Sequence, residues 1–380
     1  GGLHGALAAA GVDGVKIDVQ AAVPALGQGL GGGPALAARY TRAMEASVAA
    51  HFGTACINCM CHSTENLYNY AHTAVARASD DFYPMRPDSH TCHIVNVAYN
   101  SLFVGEICLP DWDMFHSLHE VAALHAAARA IGGCPVYVSD APGQHDVQLL
   151  RRLVLPDGSV LRAAGVGRPT RDCLFADVAA DGVTALKVWN HNEGGTGVVG
   201  TFHVQGVEWD WDTHSNEPTV EGTPPPLSVL VRPHDAETLR GCHGEFAVWR
   251  HRAGRLETLS GGTSELQATL RHREWELFTF APVQREERVR WAALGLADMF
   301  NSGGAVLSDT LQGGDGVCAT VAARGPGNFV AFADPAPRSV SVDGKTVQFK
   351  HSAATGRLTF MLGGVSQTST ITVRWAASAA

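Results

Sequence analysis

Short apolar stretches alternate with helical patterns over the first 155 residues, and this alternation constrains the fold more than any other feature. The apolar stretches predict strands at Asp13–Val19, Thr54–Met60, Thr73–Ala78, Phe103–Leu109 and Pro135–Ser139. Apolar residues at helical spacing predict helices at Pro34–His51, His90–Leu102, Ser117–Ile131 and Val147–Leu155. Strands that alternate with helices indicate β–α–β units and therefore a parallel sheet.

Acidic or polar residues follow each of the predicted strands. They are Asp18, His62, Asp80 with Asp81, Asp111 with Trp112 and Asp113, and Asp140. Polar side chains at the carboxyl ends of strands are typical of (β/α)8 barrel enzymes. The pattern supplies about five units. We therefore predict an α/β fold, the C-terminal part of a (β/α)8 barrel whose first strands lie outside this chain.

The character of the sequence changes near residue 156. Turn signals recur from there on, as at Pro156-Asp157-Gly158, and strand-like stretches lie between them. This pattern predicts an antiparallel β-sandwich. We expect a partial catalytic barrel over residues 1–155 and a β-sandwich domain over residues 156–380. Within the second region, Trp209-Asp210-Trp211-Asp212 is interpreted as a turn or a sheet edge without a catalytic role.

Charge and cysteine usage exclude several classes of protein. The chain has 37 acidic and 28 basic residues, a net charge of −9, and no run of Lys or Arg, which argues against nucleic acid as a partner. No stretch of about 18 apolar residues predicts a membrane span. The nine cysteines lie mostly in apolar surroundings and predict reduced thiols, hence a cytoplasmic protein.

Two groups of carboxylates are candidates for chemistry. Lys16 and Asp18 lie on one side of the first predicted strand, and Arg77 precedes Asp80 and Asp81 at the end of the third. Retaining glycosidases need two carboxyl groups about 5 Å apart across a sugar, and strand ends two positions apart in a barrel mouth are compatible with that distance. The alternative is that these acids are solvated loop residues.

Two further motifs have competing interpretations. Cys56, Cys59, Cys61 and His62 resemble a zinc set but lack the second ligand pair of a structural site, and packed thiols explain them as well. Asp111-Trp112-Asp113 combines an aromatic ring with acids, as sugar-binding sites do.

Six motifs in order resemble the raffinose synthase and seed imbibition protein family, which includes alkaline α-galactosidases and is related to glycoside hydrolase family thirty-six. They are KIDVQ (16–20), RASDDFYP (77–84), PDWDMFHSLH (110–119), PVYVSDAPGQHD (135–146), LPDGSVLRA (155–163) and GRPTRDCLF (167–175). The resemblance implies a (β/α)8 barrel followed by a β-sandwich. It also implies that Asp18 is the nucleophile and Asp80 the acid/base.

The same resemblance implies that Lys16, Arg77 and Asp113 bind the sugar. Trp112 is a further binding candidate because its ring lies between two acids, and the positions after predicted strands make Asp81, Cys61, His62, Asp111 and Asp140 secondary candidates. It implies a retaining α-galactosyl enzyme that moves galactose from galactinol to sucrose. The alternatives are an alkaline α-galactosidase acting on raffinose-type oligosaccharides, and a non-catalytic carbohydrate-binding protein. No cofactor, metal, nucleic acid or membrane is expected, and the expected compartment is the cytoplasm, with a plastid as the alternative.

Overall fold

The computed structural model describes residues 2–363 and 368–376. The chain forms two compact units. The first comprises the residues up to Asp81 together with Tyr99–Asp113, and the second comprises Phe82–Ala98 and the residues from Met114 onward.

The helices of the described residues are concentrated before residue 151. They are α1 (Leu3–Ala9), α2 (Gly33–Phe52), α3 (Thr64–Leu67), α4 (Ser89–Val104), α5 (Ala122–Gly132) and α6 (Val147–Leu150). Short 3-10 turns occur at Gln20–Leu26, Arg171–Cys173, Pro233–Asp235, Glu237–Leu239 and Ser302–Ala305. In this part of the chain no helix combines the length and apolar character that crossing a bilayer requires.

A four-stranded parallel sheet is the centre of the first unit. Its strands are β1 (Val15–Ile17), β2 (Cys56–Asn58), β3 (Val75–Arg77) and β4 (Leu109–Asp111), and they lie side by side in chain order. Ile17 pairs with Asn58, and Arg77 pairs with Asp111. The prediction of a parallel sheet built from successive strand–helix units is confirmed by this order.

Local sequence explains where the helices begin and end. Pro34 lies in the first turn of α2, where its missing N–H costs nothing, and buried Met44 and Val48 lie on one face of that helix. Ser63 caps α3, since its hydroxyl accepts from the Asn66 N–H at 3.2 Å. Gly133 follows α5 with a positive φ of 71°, and a Cβ there would lie 1.8 Å from the Gly165 carbonyl oxygen.

Three sequence predictions misplace or overextend an element. The fourth strand was expected at Phe103–Leu109, but Phe103 continues α4 and the strand begins at Leu109. The helix expected from Ser117 begins only at Ala122, because the N–H and hydroxyl of Ser117 bind the Asp140 carboxylate instead. The strand expected at Pro135–Ser139 is reduced to a single parallel bridge between Phe115 and Val138.

The second unit is mostly antiparallel. Its first strands are β5 (Arg168–Pro169), β6 (Leu186–His191), β7 (Gly197–Phe202), β8 (Val207–Asp210), β9 (Ser215–Pro218), β10 (Leu227–Val231), β11 (Phe246–Arg250), β12 (Arg255–Leu259), β13 (Leu266–Leu270) and β14 (Trp275–Pro282). They form one six-stranded sheet in the order β12-β11-β14-β7-β6-β5 and two antiparallel pairs, β10-β13 and β8-β9.

Ten more strands follow. They are β15 (Gln284–Glu286), β16 (Val289–Leu296), β17 (Val306–Gln312), β18 (Cys318–Ala323), β19 (Gly327–Asp334), β20 (Ser339–Val342), β21 (Lys345–Val347), β22 (Phe349–Ser352), β23 (Arg357–Leu362) and β24 (Ser369–Arg374). They form two five-stranded sheets, β15-β16-β19-β23-β22 and β17-β18-β24-β20-β21. Trp291 and Phe329 of one sheet and Val321 and Ile371 of the other belong to a single buried cluster.

Candidate active site

The candidate residues of the first unit gather at one edge of the parallel sheet. Asp18 follows β1 directly, Arg77 is the last residue of β3, and Asp111 is the last residue of β4. Asp80 lies three residues beyond β3. Because the four strands run in one direction, their carboxyl ends share an edge, and these side chains start from it.

An ion-pair network connects the first, third and fourth strands at this edge. The Asp113 carboxylate accepts from Nη1 of Arg77, and its Oδ1 lies 3.9 Å from Nζ of Lys16. Lys16 is on β1 and Asp113 follows β4, which are the two outer strands of the sheet. Across a flat sheet these strands would be about 14 Å apart. The long Lys16 side chain and the segment after β4 span that separation, so the ion pair joins the two outer strands across the strand-end edge.

Arg77 is the centre of the network. Besides Asp113, Nη1 donates to the Asp80 carbonyl at 3.3 Å, and Nη2 donates to Asp81 Oδ1 at 2.7 Å and to Cys59 Sγ at 3.1 Å. Burial acts to lower the pKa of Arg77, but Asp113, Cys59 and Asp81 raise it above its ordinary value. The guanidinium is charged and its four terminal N–H groups are used within the protein.

The segment after β4 is buried. Asp111 and Trp112 have no solvent exposure and Asp113 has 1%. Asp113 has a left-handed φ of 61°, and its N–H donates to Asp111 Oδ1 at 3.1 Å. This turn fixes the Asp113 carboxylate toward Arg77. The indole of Trp112 packs inside the unit, so it presents no ring face to solvent.

Asp18 and Asp80 are both exposed at the edge. Asp18 Oδ1 accepts from the Val19 N–H at 2.7 Å, and Val19 has a left-handed φ of 57°. The turn is anchored by buried Gln20, whose amide donates at 2.9 Å to Ile17 O and to Asn58 Oδ1. One strand separates β1 from β3, which places the strand ends about 10 Å apart.

Two cysteines near the edge, Cys56 and Cys61, are protonated, packed groups. Burial, chiefly, raises the pKa of both Cys56 and Cys61 to about 11. Tyr70 donates to the Cys61 carbonyl at 3.3 Å, and the His62 ring contacts the Arg77 carbonyl. Burial lowers the pKa of His62. Across residues 2–363 and 368–376, no three His, Cys, Asp or Glu side chains are placed to hold one metal ion.

Asp140 lies in the second unit with partners that the sequence did not single out. Its buried carboxylate accepts from the Ser117 N–H at 2.7 Å, from the Ser117 hydroxyl at 2.5 Å and from His145 Nδ1 at 3.0 Å. His116 Nε2 is 3.8 Å away. Burial acts to raise the pKa of Asp140, but the Ser117 and His145 hydrogen bonds lower it overall. The structure therefore gives Asp140 a local role in fixing the loop before α6.

A buried histidine cluster of the second unit was also missed. Arg129 donates from Nη1 to His125 Nδ1 and from Nη2 to His93 Nε2, both at 3.0 Å, and His125 Nε2 is 2.8 Å from His90 Nδ1. All four side chains are nearly inaccessible. Spacing was the signal in the sequence that could have found it. His90 and His93 are three residues apart on α4, and His125 and Arg129 are four apart on α5, so each pair lies on one face of its helix.

The chain belongs to the raffinose synthase or seed imbibition protein family, whose model, described as "Raffinose synthase or seed imbibition protein Sip1", matches residues 1–362. It is 47% identical over 375 residues to "Probable galactinol–sucrose galactosyltransferase 1" of Arabidopsis thaliana, covering 95% of this chain and 49% of that protein. It is 41% identical to the galactinol–sucrose galactosyltransferase of Oryza sativa subsp. japonica, covering 92% and 46%.

A stachyose synthase of Pisum sativum is 33% identical, with 92% of this chain and 42% of that protein covered. The chain thus spans about half the length of the curated relatives it matches. Among solved structures it is similar to a GH27 β-L-arabinopyranosidase from Geobacillus stearothermophilus, with 13% identity, a TM-score of 0.48, and 74% of this chain and 61% of the other covered.

Proposed function

We propose that this chain carries the catalytic edge of a retaining α-galactosyl enzyme that moves galactose from galactinol to sucrose. The observation that supports this most is the Lys16–Asp113–Arg77 network, which joins the outer strands of the parallel sheet at the edge from which Asp18 and Asp80 start. Family membership and similarity to galactinol–sucrose galactosyltransferases favour the donor and acceptor.

In the proposed reaction Asp18 attacks the anomeric carbon of the galactoside while Asp80 protonates the departing oxygen. The C–O bond to the leaving group breaks and a covalent galactosyl–Asp18 ester forms. Asp80, now a base, takes the proton of the acceptor hydroxyl, which attacks the same carbon and releases Asp18. Galactose is transferred with retained configuration, and no oxidant, reductant or metal enters the balance.

The remaining side chains of the edge have binding and positioning roles in this proposal. Lys16, about one-third exposed, is available to donate to sugar hydroxyl groups. Asp113 is held in place to accept from them. Arg77 acts by orienting Asp113 and Asp81, since a sugar oxygen would have to displace one of its present partners. The Asp81 carboxylate is already paired with Arg77. We therefore favour Asp80, rather than Asp81, as the proton donor.

We also propose the domain division. The four parallel strands in chain order are the support for a partial (β/α)8 barrel over residues 1–155. The two five-stranded antiparallel sheets that share one buried cluster are the support for a β-sandwich within residues 156–380. The cytosol is the compartment that nine cysteines in mostly apolar surroundings fit best.

The test uses the full-length enzyme with galactinol, with and without sucrose, and chromatography of the products. Raffinose as the main product supports transfer, whereas free galactose in excess sucrose would assign hydrolysis instead. Asp18→Ala should abolish turnover, and azide should restore part of it by attacking from the vacated face. Asp13→Ala, a change at an exposed carboxylate of the same unit, should leave turnover unchanged.

The role of Asp80 has its own comparison. Asp80→Ala should lose far more activity on galactinol than on an aryl galactoside whose leaving group needs no proton. The same pattern for Asp81→Ala, and not for Asp80→Ala, would reassign the acid. An enzyme that binds galactinol but turns over neither substrate would support the non-catalytic alternative, and metal analysis of the purified protein tests the zinc interpretation.

A further inference from the structure

The β8–β9 hairpin of the second unit has two chemically different faces. In its register Val207 is opposite Pro218 and Trp209 is opposite Asn216, while Glu208 is opposite Glu217 and Asp210 is opposite Ser215. Because paired residues share a face and neighbours alternate, one face is acidic and hydroxylated and the other is uncharged. Trp211, two residues after Trp209, continues the direction of the uncharged face into the turn.

The uncharged face is aromatic and open to solvent. Trp211 is 79% exposed and Trp209 is 43% exposed. Their ring centroids are 6.3 Å apart and their planes are inclined at 80°, so the two indoles form a corner. Only Val207, at the base of the hairpin, is buried. An amphipathic hairpin that leaves its aromatic side open does not obtain its stability from burying those rings.

The turn that carries Trp211 is held rigidly. Asp210 Oδ1 accepts from the N–H groups of Asp212 at 2.8 Å and of Thr213 at 2.7 Å. The hydroxyls of Thr213 and Ser215 are 2.9 Å apart, and Ser215 donates to Glu217 at 2.7 Å. These bonds engage Asp210, Ser215 and one carboxylate oxygen of Glu217 on the acidic side. The aromatic corner is therefore preorganised, which reduces the entropy lost when a ligand binds.

We propose that this corner is a non-catalytic binding site for a neutral oligosaccharide, with Trp209 and Trp211 stacking on pyranose rings and the Asn216 amide binding hydroxyl groups. Stacking on an apolar ring face and one adaptable hydrogen-bonding group are the chemistry that a pyranose presents. Residues 207–218 include four carboxylates and no Lys or Arg, so this segment would repel a polyanionic ligand. A cationic ligand is disfavoured because Glu208 and Glu217 lie on the opposite face and the Asp210 carboxylate accepts from N–H groups of the turn.

The test labels the full chain with 5-fluorotryptophan and records fluorine NMR spectra during titration with stachyose. Eight tryptophans give eight signals, and single substitutions assign those of Trp209 and Trp211. Both signals should shift and saturate with stachyose and remain unmoved by sorbitol, an open-chain polyol without a ring face. An Asp18→Ala background prevents consumption of the sugar, and the readout does not depend on turnover.

Trp211→Ala should weaken binding, followed on the Trp209 signal, at least about tenfold, because the corner loses one wall. Phe175→Ala, which removes a fully exposed ring elsewhere in the same unit, is the matched control and should change nothing. In the enzyme that retains Asp18, Trp211→Ala should leave activity on galactinol unchanged, which separates this site from the proposed catalytic edge.

Three results would overturn the proposal. The first is no shift of either hairpin signal with stachyose. The second is a shift that follows protein concentration without sugar, which would assign the corner to contact with a second copy of the chain. The third is a shift with an arginine-rich peptide but not with stachyose, which would assign it to a cationic partner.

Discussion

Acid should unfold this protein through the buried histidine cluster of the second unit. Arg129 has only donors, so the nitrogens facing it on His125 and His93 must be acceptors and both rings must be neutral. His125 then donates from Nε2 to His90 Nδ1, which is again an acceptor. Burial, then His119, Arg273 and Arg129, lower the pKa of His90 to about 4. Burial and Arg129 place the pKa of His125 well below 6.5.

The sign follows from linkage. These histidines bind protons less readily in the folded protein than in the unfolded chain, where their pKa is 6.5. The stability that the folded protein gains from the neutral rings is therefore fully present above pH 6.5. It is lost as pH falls through that value, and for His90 the loss levels off near 4. Acidification from about pH 7.5 to about pH 5.5 lowers the free energy of unfolding by about 1.3 kcal/mol for each histidine with such a shift. His90 and His125 together account for about 2.6 kcal/mol.

The perturbation is His125→Gln, which keeps an acceptor for Arg129 and a donor for His90 but does not titrate. Urea unfolding of the parent and the variant is compared at both pH values by circular dichroism. The variant should lose about 1.3 kcal/mol less than the parent on acidification. His243→Gln, at an exposed histidine, is the control and should behave like the parent. Equal pH dependence in parent and His125→Gln would refute the argument.

Three further predictions concern the first unit. Asp113→Asn should destabilise it by about 3 kcal/mol in thermal unfolding, because buried Arg77 loses its closest counter-charge; an unchanged midpoint would contradict this network. Cys59→Ala should lower kcat on galactinol more than it raises KM, with partial recovery in Cys59→Ser, because the thiol orients Arg77; equal loss in both would indicate simple packing. Glu45→Gln should make the loop before β3 more sensitive to proteolysis, since Glu45 accepts from the N–H groups of residues 71–73 and from the Thr73 hydroxyl; an unchanged cleavage rate would refute that role.

The sequence predicts the order of the first unit better than its details. Alternating periodicity is a local property, and it identified the parallel strands that end near Asp18 and Arg77. It failed where tertiary contacts decide. Ser117 begins no helix because a carboxylate 23 residues away binds it. Cys59 showed no spacing signal for its contact with Arg77, which exists only because β2 lies beside β3.

The charge balance of the strand-end edge links its fold to the proposed chemistry. Two cations, Lys16 and Arg77, meet five carboxylates: Asp18, Asp80, Asp81, Asp111 and Asp113. Because Arg77 is used by Asp113 and Asp81, its charge is neutralised within the scaffold. The exposed part of the edge is therefore negative. Glycosyl transfer passes through an oxocarbenium-like state with positive charge near the anomeric carbon, and fixed negative groups stabilise that charge without reorganising. The ion-pair network is itself balanced, with two cations and the carboxylates of Asp81 and Asp113. The excess therefore lies outside it, and Asp18 and Asp80 expose that negative charge where the proposed chemistry needs it.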